Sequence, residues 1–260
     1  MDNHDESQSV IVPSENNSAV NYYSSDAEKS VWKRRKNLFD KSPLPENEIL
    51  DNLGLFLNSK NLSRMLFFDH IYKQIVDVQG IIVEFGCRWG QNVSLISSLR
   101  GIYEPFNRQR KIVAFDTFEG LAGCTEFDVL REGNLSTVTG YEEYLDSIME
   151  LQEKDNPLSH IKKYEVIKGN AVETFEKYLL EHPETIVAFA YFDMDIYKPT
   201  VECLKLLKSR LVKGSIIGFD ELNDPLCPGE TIALNEVYGL TNIRLKRYPF
   251  TSRVSYFIYE

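Results

Sequence analysis

The sequence predicts an α/β fold, a doubly wound parallel sheet with helices on both faces and a terminal antiparallel pair. Short, nearly continuous apolar runs recur at Ile81-Ile82-Val83-Glu84-Phe85, Lys111-Ile112-Val113-Ala114-Phe115, Tyr164-Glu165-Val166-Ile167, residues 186–192, and Ser215-Ile216-Ile217-Gly218-Phe219. Stretches of helical period at 92–100, 171–180 and 200–211 separate them. Strands buried on both faces read as unbroken apolar runs, and parallel neighbours need a crossover helix between them. Two alternating stretches, 242–248 and 253–259, then flank Pro249-Phe250-Thr251-Ser252 in the manner of a hairpin.

The elements follow in order. Residues 1–42 are rich in Ser, Asn, Asp and Glu and poor in apolar side chains before Val31-Trp32, so they read as a flexible arm or lid. Lys33-Arg34-Arg35-Lys36 is either a solvated helix face or a patch that folds over an anionic substrate. Residues 43–260 form one domain. From Pro45, apolar residues from Leu50 through Val76 recur at helical spacing and predict two amphipathic helices before the first strand. Between the second and third strands, residues 116–163 are more chain than one helix needs. This insertion holds a helix around 141–153 and reads as lid-like, at the sheet edge where ligands bind in such folds.

The 260 residues are 43% hydrophobic and 26% charged, enough for a sizeable core, and no apolar run approaches the length of a membrane span. A formal net charge of −10 argues against a nucleic-acid backbone or an anionic lipid surface as partner. Cys87, Cys124, Cys203 and Cys227 are dispersed and suggest neither a zinc site nor a disulfide framework. With no basic and apolar leader at Met1-Asp2-Asn3-His4-Asp5-Glu6, the expectation is a cytoplasmic protein.

The strand ends carry the chemistry. Glu84-Phe85-Gly86-Cys87-Arg88-Trp89-Gly90 lies at a strand-to-helix turn, where Gly86 and Gly90 let the backbone turn sharply and approach a ligand. Glu84 is placed to accept hydrogen bonds from a cationic amino group. The spacing is not GxGxxG and fits a dinucleotide poorly. Asp116, followed by Thr117 and Phe118, stands where doubly wound folds hold a ribose, or else caps the next turn. Asn170, followed by Ala171, either meets an adenine edge or caps the following helix. The fourth and fifth strands deliver Asp193 and Asp220-Glu221 to one edge. Such convergent carboxylates call for a shared proton or a hard divalent cation such as magnesium.

Taken together and in order, Val83-Glu84-Phe85-Gly86, Phe115-Asp116-Thr117-Phe118-Glu119-Gly120, the run from Asp193 to Thr200, Phe219-Asp220-Glu221 and Pro228-Gly229-Glu230-Thr231 resemble the macrocin O-methyltransferase family. These are class I S-adenosylmethionine-dependent enzymes, many of which methylate sugar hydroxyls of natural products. The resemblance spans about residues 50–260. It implies a Rossmann-like seven-stranded sheet with the cofactor at Glu84, Gly86, Gly90, Asp116, Thr117, Phe118, Asn170, Ala171 and Asp193. It also implies magnesium at Asp193, Asp220 and Glu221, a small-molecule hydroxyl acceptor such as a sugar, and a homodimer; because an alcohol must lose its proton to attack, Asp193 is the candidate for metal ligand and general base together. The chain departs from the family in having Glu221 where many members carry a second aspartate. It also lacks the histidine that some carry just after the strand-four acid. Competing expectations are a noncatalytic cofactor-binding module and a nicotinamide-dependent oxidoreductase on the same fold.

Overall fold

The computed structural model describes residues 24–260. Its contacts divide the chain into two compact units, Met1–Leu57 and Asn58–Glu260. The first unit contains the expected arm, residues 1–42, together with residues 43–57. Residues 1–23 of the expected arm lie outside the described residues. In the rest of that unit, α1 (Asp26–Asp40) starts at a capping box in which Ser25 Oγ accepts from the Glu28 amide and Glu28 accepts from the Ser25 amide. The basic cluster lies on this helix, none of whose residues is buried. The first of the two expected amphipathic helices does not form. Glu46–Glu48 and Leu53–Leu55 are single 3-10 turns, because the run between Pro45 and Gly54 is too short to repay helix nucleation.

In the second unit, α2 (Ser59–Ile75) is capped by Asn58, whose Oδ1 accepts from the Asn61 amide. It buries Phe67, Phe68, Ile71, Tyr72 and Ile75, one face at helical spacing. Its last turn is tied down by Arg110, which donates to the carbonyls of Ile75 and Val78 at 2.9 Å while paired with Glu104.

The sheet contains β1 (Ile81–Phe85), β2 (Ile112–Asp116), β3 (Tyr164–Lys168), β4 (Val187–Phe192), β5 (Leu211–Phe219), β6 (Lys246–Arg247) and β7 (Ser255–Ile258) in the order β3-β2-β1-β4-β5-β7-β6. The first five strands are parallel, and β7 pairs antiparallel with both β5 and β6. The remaining helices are α3 (Gln91–Tyr103), α4 (Tyr141–Asp155), α5 (Ala171–Glu181), α6 (Tyr197–Lys208) and α7 (Pro228–Tyr238). One core cluster gathers side chains of α2, α3 and α4 on the sheet, and a second gathers those of α5, α6 and α7.

Three further elements differ from expectation. Helix α7 has no counterpart among the expected elements, although Pro228 sits at its first turn, where a missing N–H is harmless. Strand β6 is only two residues long, and Asn242, where the expected strand opened, instead donates from its Nδ2 to the Tyr238 carbonyl at the end of α7. Helix α6 begins before Pro199 and ends at Lys208, leaving Leu211 to open a longer β5.

Candidate active site

The sheet register builds the site. Phe85 is level with Phe115 and Phe192, and Phe192 with Phe219, so four fully buried rings form a row across β2, β1, β4 and β5. The next residue on each strand is Asp116, Gly86, Asp193 and Asp220, delivered side by side at the carboxyl edge. Ladder bonds extend to that row: the Gly86 amide donates to the Phe115 carbonyl, Asp193 to Phe85, and Asp220 to Phe192.

Gly86 is dictated by contact and by conformation. Its φ is +86°, and a Cβ there would stand 1.9 Å from the Asp193 carbonyl oxygen. Gly90, at φ +71°, leaves its space to a methyl of Leu145, 2.1 Å from where a Cβ would be. Glu84, one residue inside the row, is fully buried. Its Oε1 accepts from Asn92 Nδ2 at 2.7 Å, while its Oε2 has no hydrogen-bond partner among the described residues. Burial pushes the Glu84 carboxyl up to about 8, against the opposing Asn92 bond. Asp116 accepts the amide of Arg88 at 2.7 Å and that of Phe118 at 2.6 Å, bracing the β1–α3 turn, and burial still raises its pKa. Thr117 Oγ1 donates to the Gly120 carbonyl, Phe118 is buried, and Ala171 is the first residue of α5. Asn170 takes the capping option, its Oδ1 accepting from the Val172 amide.

The β4 and β5 ends form an acidic bowl. Asp193, Asp195 and Glu221 each offer an oxygen within 4.8 Å of the others. Asp220 stands beside this trio with its oxygens engaged. Oδ1 accepts from Arg64 at 2.6 Å and from the Tyr191 hydroxyl at 2.6 Å, and Arg253 lies 3.4 Å from Oδ2. Two of the expected ligands, Asp193 and Glu221, thus converge with Asp195, while the third, Asp220, is engaged by two arginines and a phenol. Arg253 also pairs with Glu221 at 2.9 Å and with Asp224 at 2.9 Å.

Electrostatics divide these acids. Burial and the Asp220 charge drive Asp193 well above the carboxylate range, as they do Glu221. Burial raises Asp195 to about 6, although the Cys227 thiol donates to it at 3.3 Å. Burial acts in the same direction on Asp220, but Arg64, hydrogen bonds from Glu221 and Tyr191, and Arg253 outweigh it and hold that group ionised. Beneath the bowl, the fully buried Glu230 of α7 accepts the amides of Met194 (3.2 Å), Asp195 (3.4 Å) and Glu221 (3.3 Å). It so ties together the loops after β4 and β5.

Arg64, Asn92, Asp195, Arg253 and Glu230 were not assigned site roles from the sequence. For Arg64 a signal existed in the helical period, since it precedes Phe67 and Phe68 on the face of α2 that packs on Tyr191. The histidines lie elsewhere among the described residues: His70 bonds the Tyr256 hydroxyl, His160 is exposed, and His182 ends α5. All four cysteines are free.

No protein-family model matches the chain, and no curated protein matches it in sequence. Solved structures do. A calicheamicin methyltransferase, CalS11, is 35% identical with a TM-score of 0.89, the match covering 95% of this chain and 99% of that one. The apo form of CalS11, described as a TDP-rhamnose 3'-O-methyltransferase of calicheamicin biosynthesis, matches at 36% identity and a TM-score of 0.82 over 91% and 96% of the two chains. The O-methyltransferase NovP shares the fold at 14% identity and a TM-score of 0.55, over 75% of this chain and 79% of its own. With its strand-end motifs and near-complete alignment to CalS11, the chain belongs to the class I S-adenosylmethionine-dependent O-methyltransferases, in the family that its macrocin-type motifs indicate.

Proposed function

We propose that the acceptor is a sugar hydroxyl, with a nucleotide-linked deoxysugar favoured over a glycosylated natural product. The activity of CalS11 on TDP-rhamnose, at 36% identity, supports that preference. The observation that carries the reading is the adjacency of two groups of residues. Glu84 and Asp116, suited to an amino group and a ribose, stand beside the acidic bowl of Asp193, Asp195 and Glu221. In the reaction, the acceptor oxygen attacks the methyl carbon in line, the carbon–sulfur bond breaks toward sulfur, and S-adenosylhomocysteine leaves. The hydroxyl proton passes to a carboxylate, for which Asp193 is the candidate: it is the bowl acid on β4, next to β1, and a bound cation would displace the proton that burial and the Asp220 charge otherwise keep on it. Asp116 would hold the ribose hydroxyls with the lone pairs its two amide bonds leave free. Asn170 retains its amide nitrogen for adenine.

An all-oxygen donor set that includes the unpartnered, buried Glu221 Oε2 fits a hard divalent ion such as magnesium. We place that ion with Asp193, Asp195 and Glu221. When bound, it would lower the pKa of a chelated sugar hydroxyl. The test is methyl transfer from labelled S-adenosylmethionine to TDP-deoxysugars, free sugars and glycosides, with magnesium and with chelator. Transfer to the nucleotide sugars is expected. Asp193→Asn is expected to lower kcat by about 100-fold or more, the usual range for a lost general base. Transfer to glycosides alone would overturn the nucleotide-sugar preference, and a fully active Asp193→Asn would remove the base assignment.

A further inference from the structure

We propose that Arg64 receives the α-carboxylate of the cofactor's methionine moiety and selects ligands that carry it. This rests on the S-adenosylmethionine reading and extends it to a residue outside the strand-end motifs. Glu84, Asn92 and Arg64 form a chain of contacts: Asn92 Nδ2 donates to Glu84 Oε1 at 2.7 Å, and Arg64 Nη1 donates to Asn92 Oδ1 at 3.3 Å. At one end, Glu84 Oε2 is buried with no partner. A buried carboxylate oxygen without a donor is costly, and an ammonium group satisfies both its charge and its lone pairs. At the other end stands a guanidinium. In an α-amino acid a single carbon joins the ammonium to the carboxylate, so a ligand held by Glu84 carries its carboxylate within reach of the groups around Asn92, of which Arg64 is the cation.

Arg64 is prepared for that task. Its Nη2 is fixed on Asp220 at 2.6 Å, and its Nη1 lies 3.6 Å from Asp193. These acids, with Tyr191, keep it charged although it is largely buried. Among the described residues its Nε makes no hydrogen bond, leaving part of the planar fork for another acceptor. Asp220 does not depend on Arg64 alone, since Tyr191 and Arg253 also approach it. Two phenylalanines one turn further along α2, Phe67 and Phe68, pack on Tyr191 and hold the helix in register over this edge.

The experiment compares three ligands by calorimetry. S-adenosylhomocysteine carries both the ammonium and the carboxylate, its decarboxylated analogue keeps only the ammonium, and methylthioadenosine has neither. Wild type is expected to bind S-adenosylhomocysteine about 10- to 100-fold more tightly than the decarboxylated analogue, as one charged hydrogen-bonded contact is worth. In Arg64→Gln that preference should fall to near unity through loss of S-adenosylhomocysteine affinity, with the decarboxylated analogue and methylthioadenosine binding as before. Arg64→Lys, which keeps the charge but loses the fork, should retain part of the preference. An unchanged preference in Arg64→Gln would overturn the proposal. So would an equal weakening of all three ligands in both variants, which would give Arg64 an architectural role. Failure of wild type to bind S-adenosylhomocysteine at all would instead remove the cofactor reading on which the proposal stands.

Discussion

Glu84 shows how one side chain can couple folding, pH and ligand. Its carboxyl is raised by burial to about 8 in the folded chain, against roughly 4.3 when unfolded. Between those values the native state holds a proton that the unfolded state has lost. Its contribution to stability is therefore complete below the unfolded pKa and declines as pH rises toward 8. Denaturant titrations of the cofactor-free protein should show this loss, and Glu84→Gln should flatten it. Binding of a ligand ammonium reverses the preference by favouring the carboxylate. Calorimetry near pH 7 in buffers of different ionisation enthalpy should then register release of about one proton with S-adenosylhomocysteine and none from this site in Glu84→Gln. Equal proton release in the two proteins would mean that Glu84 does not meet the amino group.

At the scale of elements, the parallel strands and their crossover helices were legible because apolar runs and helical period state them directly. The same was not true of α7, whose importance lies in what Glu230 does for other segments. That side chain gathers the amides of Met194, Asp195 and Glu221 inside the protein, and Asp195 has left-handed backbone, at φ +62°. Burial raises the pKa of Glu230 well above the carboxylate range, so its neutral form is the one the fold favours. Glutamine keeps one acceptor oxygen, for the amides of Met194 and Asp195, but sets an NH2 donor against the Glu221 amide. Glu230→Ala should therefore cost at least about 2 kcal/mol by stranding all three buried amides, whereas Glu230→Gln, which strands one, should cost about half as much. Chemical denaturation of the two variants decides this; equal losses would mean that charge or packing, and not amide satisfaction, is what Glu230 supplies. The failed helix before α2 and the shortened β6 were not legible either. Apolar spacing alone cannot reveal that Gly54 lies within one segment, or that Asn242 is already committed to a helix end.

Over the whole molecule, topology assembles what the linear sequence scatters. The strand-end acids could be read in sequence because each directly follows an apolar run. Arg64 was legible only as a residue on the packed face of α2, since 156 residues separate it from Asp220 and only the docking of α2 brings them together. The result is a concentration of Glu84, Asp193, Asp195, Asp220, Glu221 and Glu230 answered chiefly by Arg64 and Arg253, in a chain that already carries a net charge of −10. Such a cluster limits its own repulsion by keeping protons, as the raised Asp193, Glu221 and Glu230 do. A divalent cation at Asp193, Asp195 and Glu221 would do so more completely, and an ion that binds only the folded state stabilises it by mass action, by about 2.7 kcal/mol at 100 times its Kd. Thermal melts with magnesium should accordingly run higher than melts in sodium chloride of matched ionic strength. Asp195→Asn should lose most of that difference while retaining S-adenosylhomocysteine binding, because Asp195 belongs to the acidic bowl and not to the residues proposed to hold the cofactor. If wild type melts at the same temperature in both salts, the bowl manages its charge with protons and arginines alone, and the magnesium assignment fails.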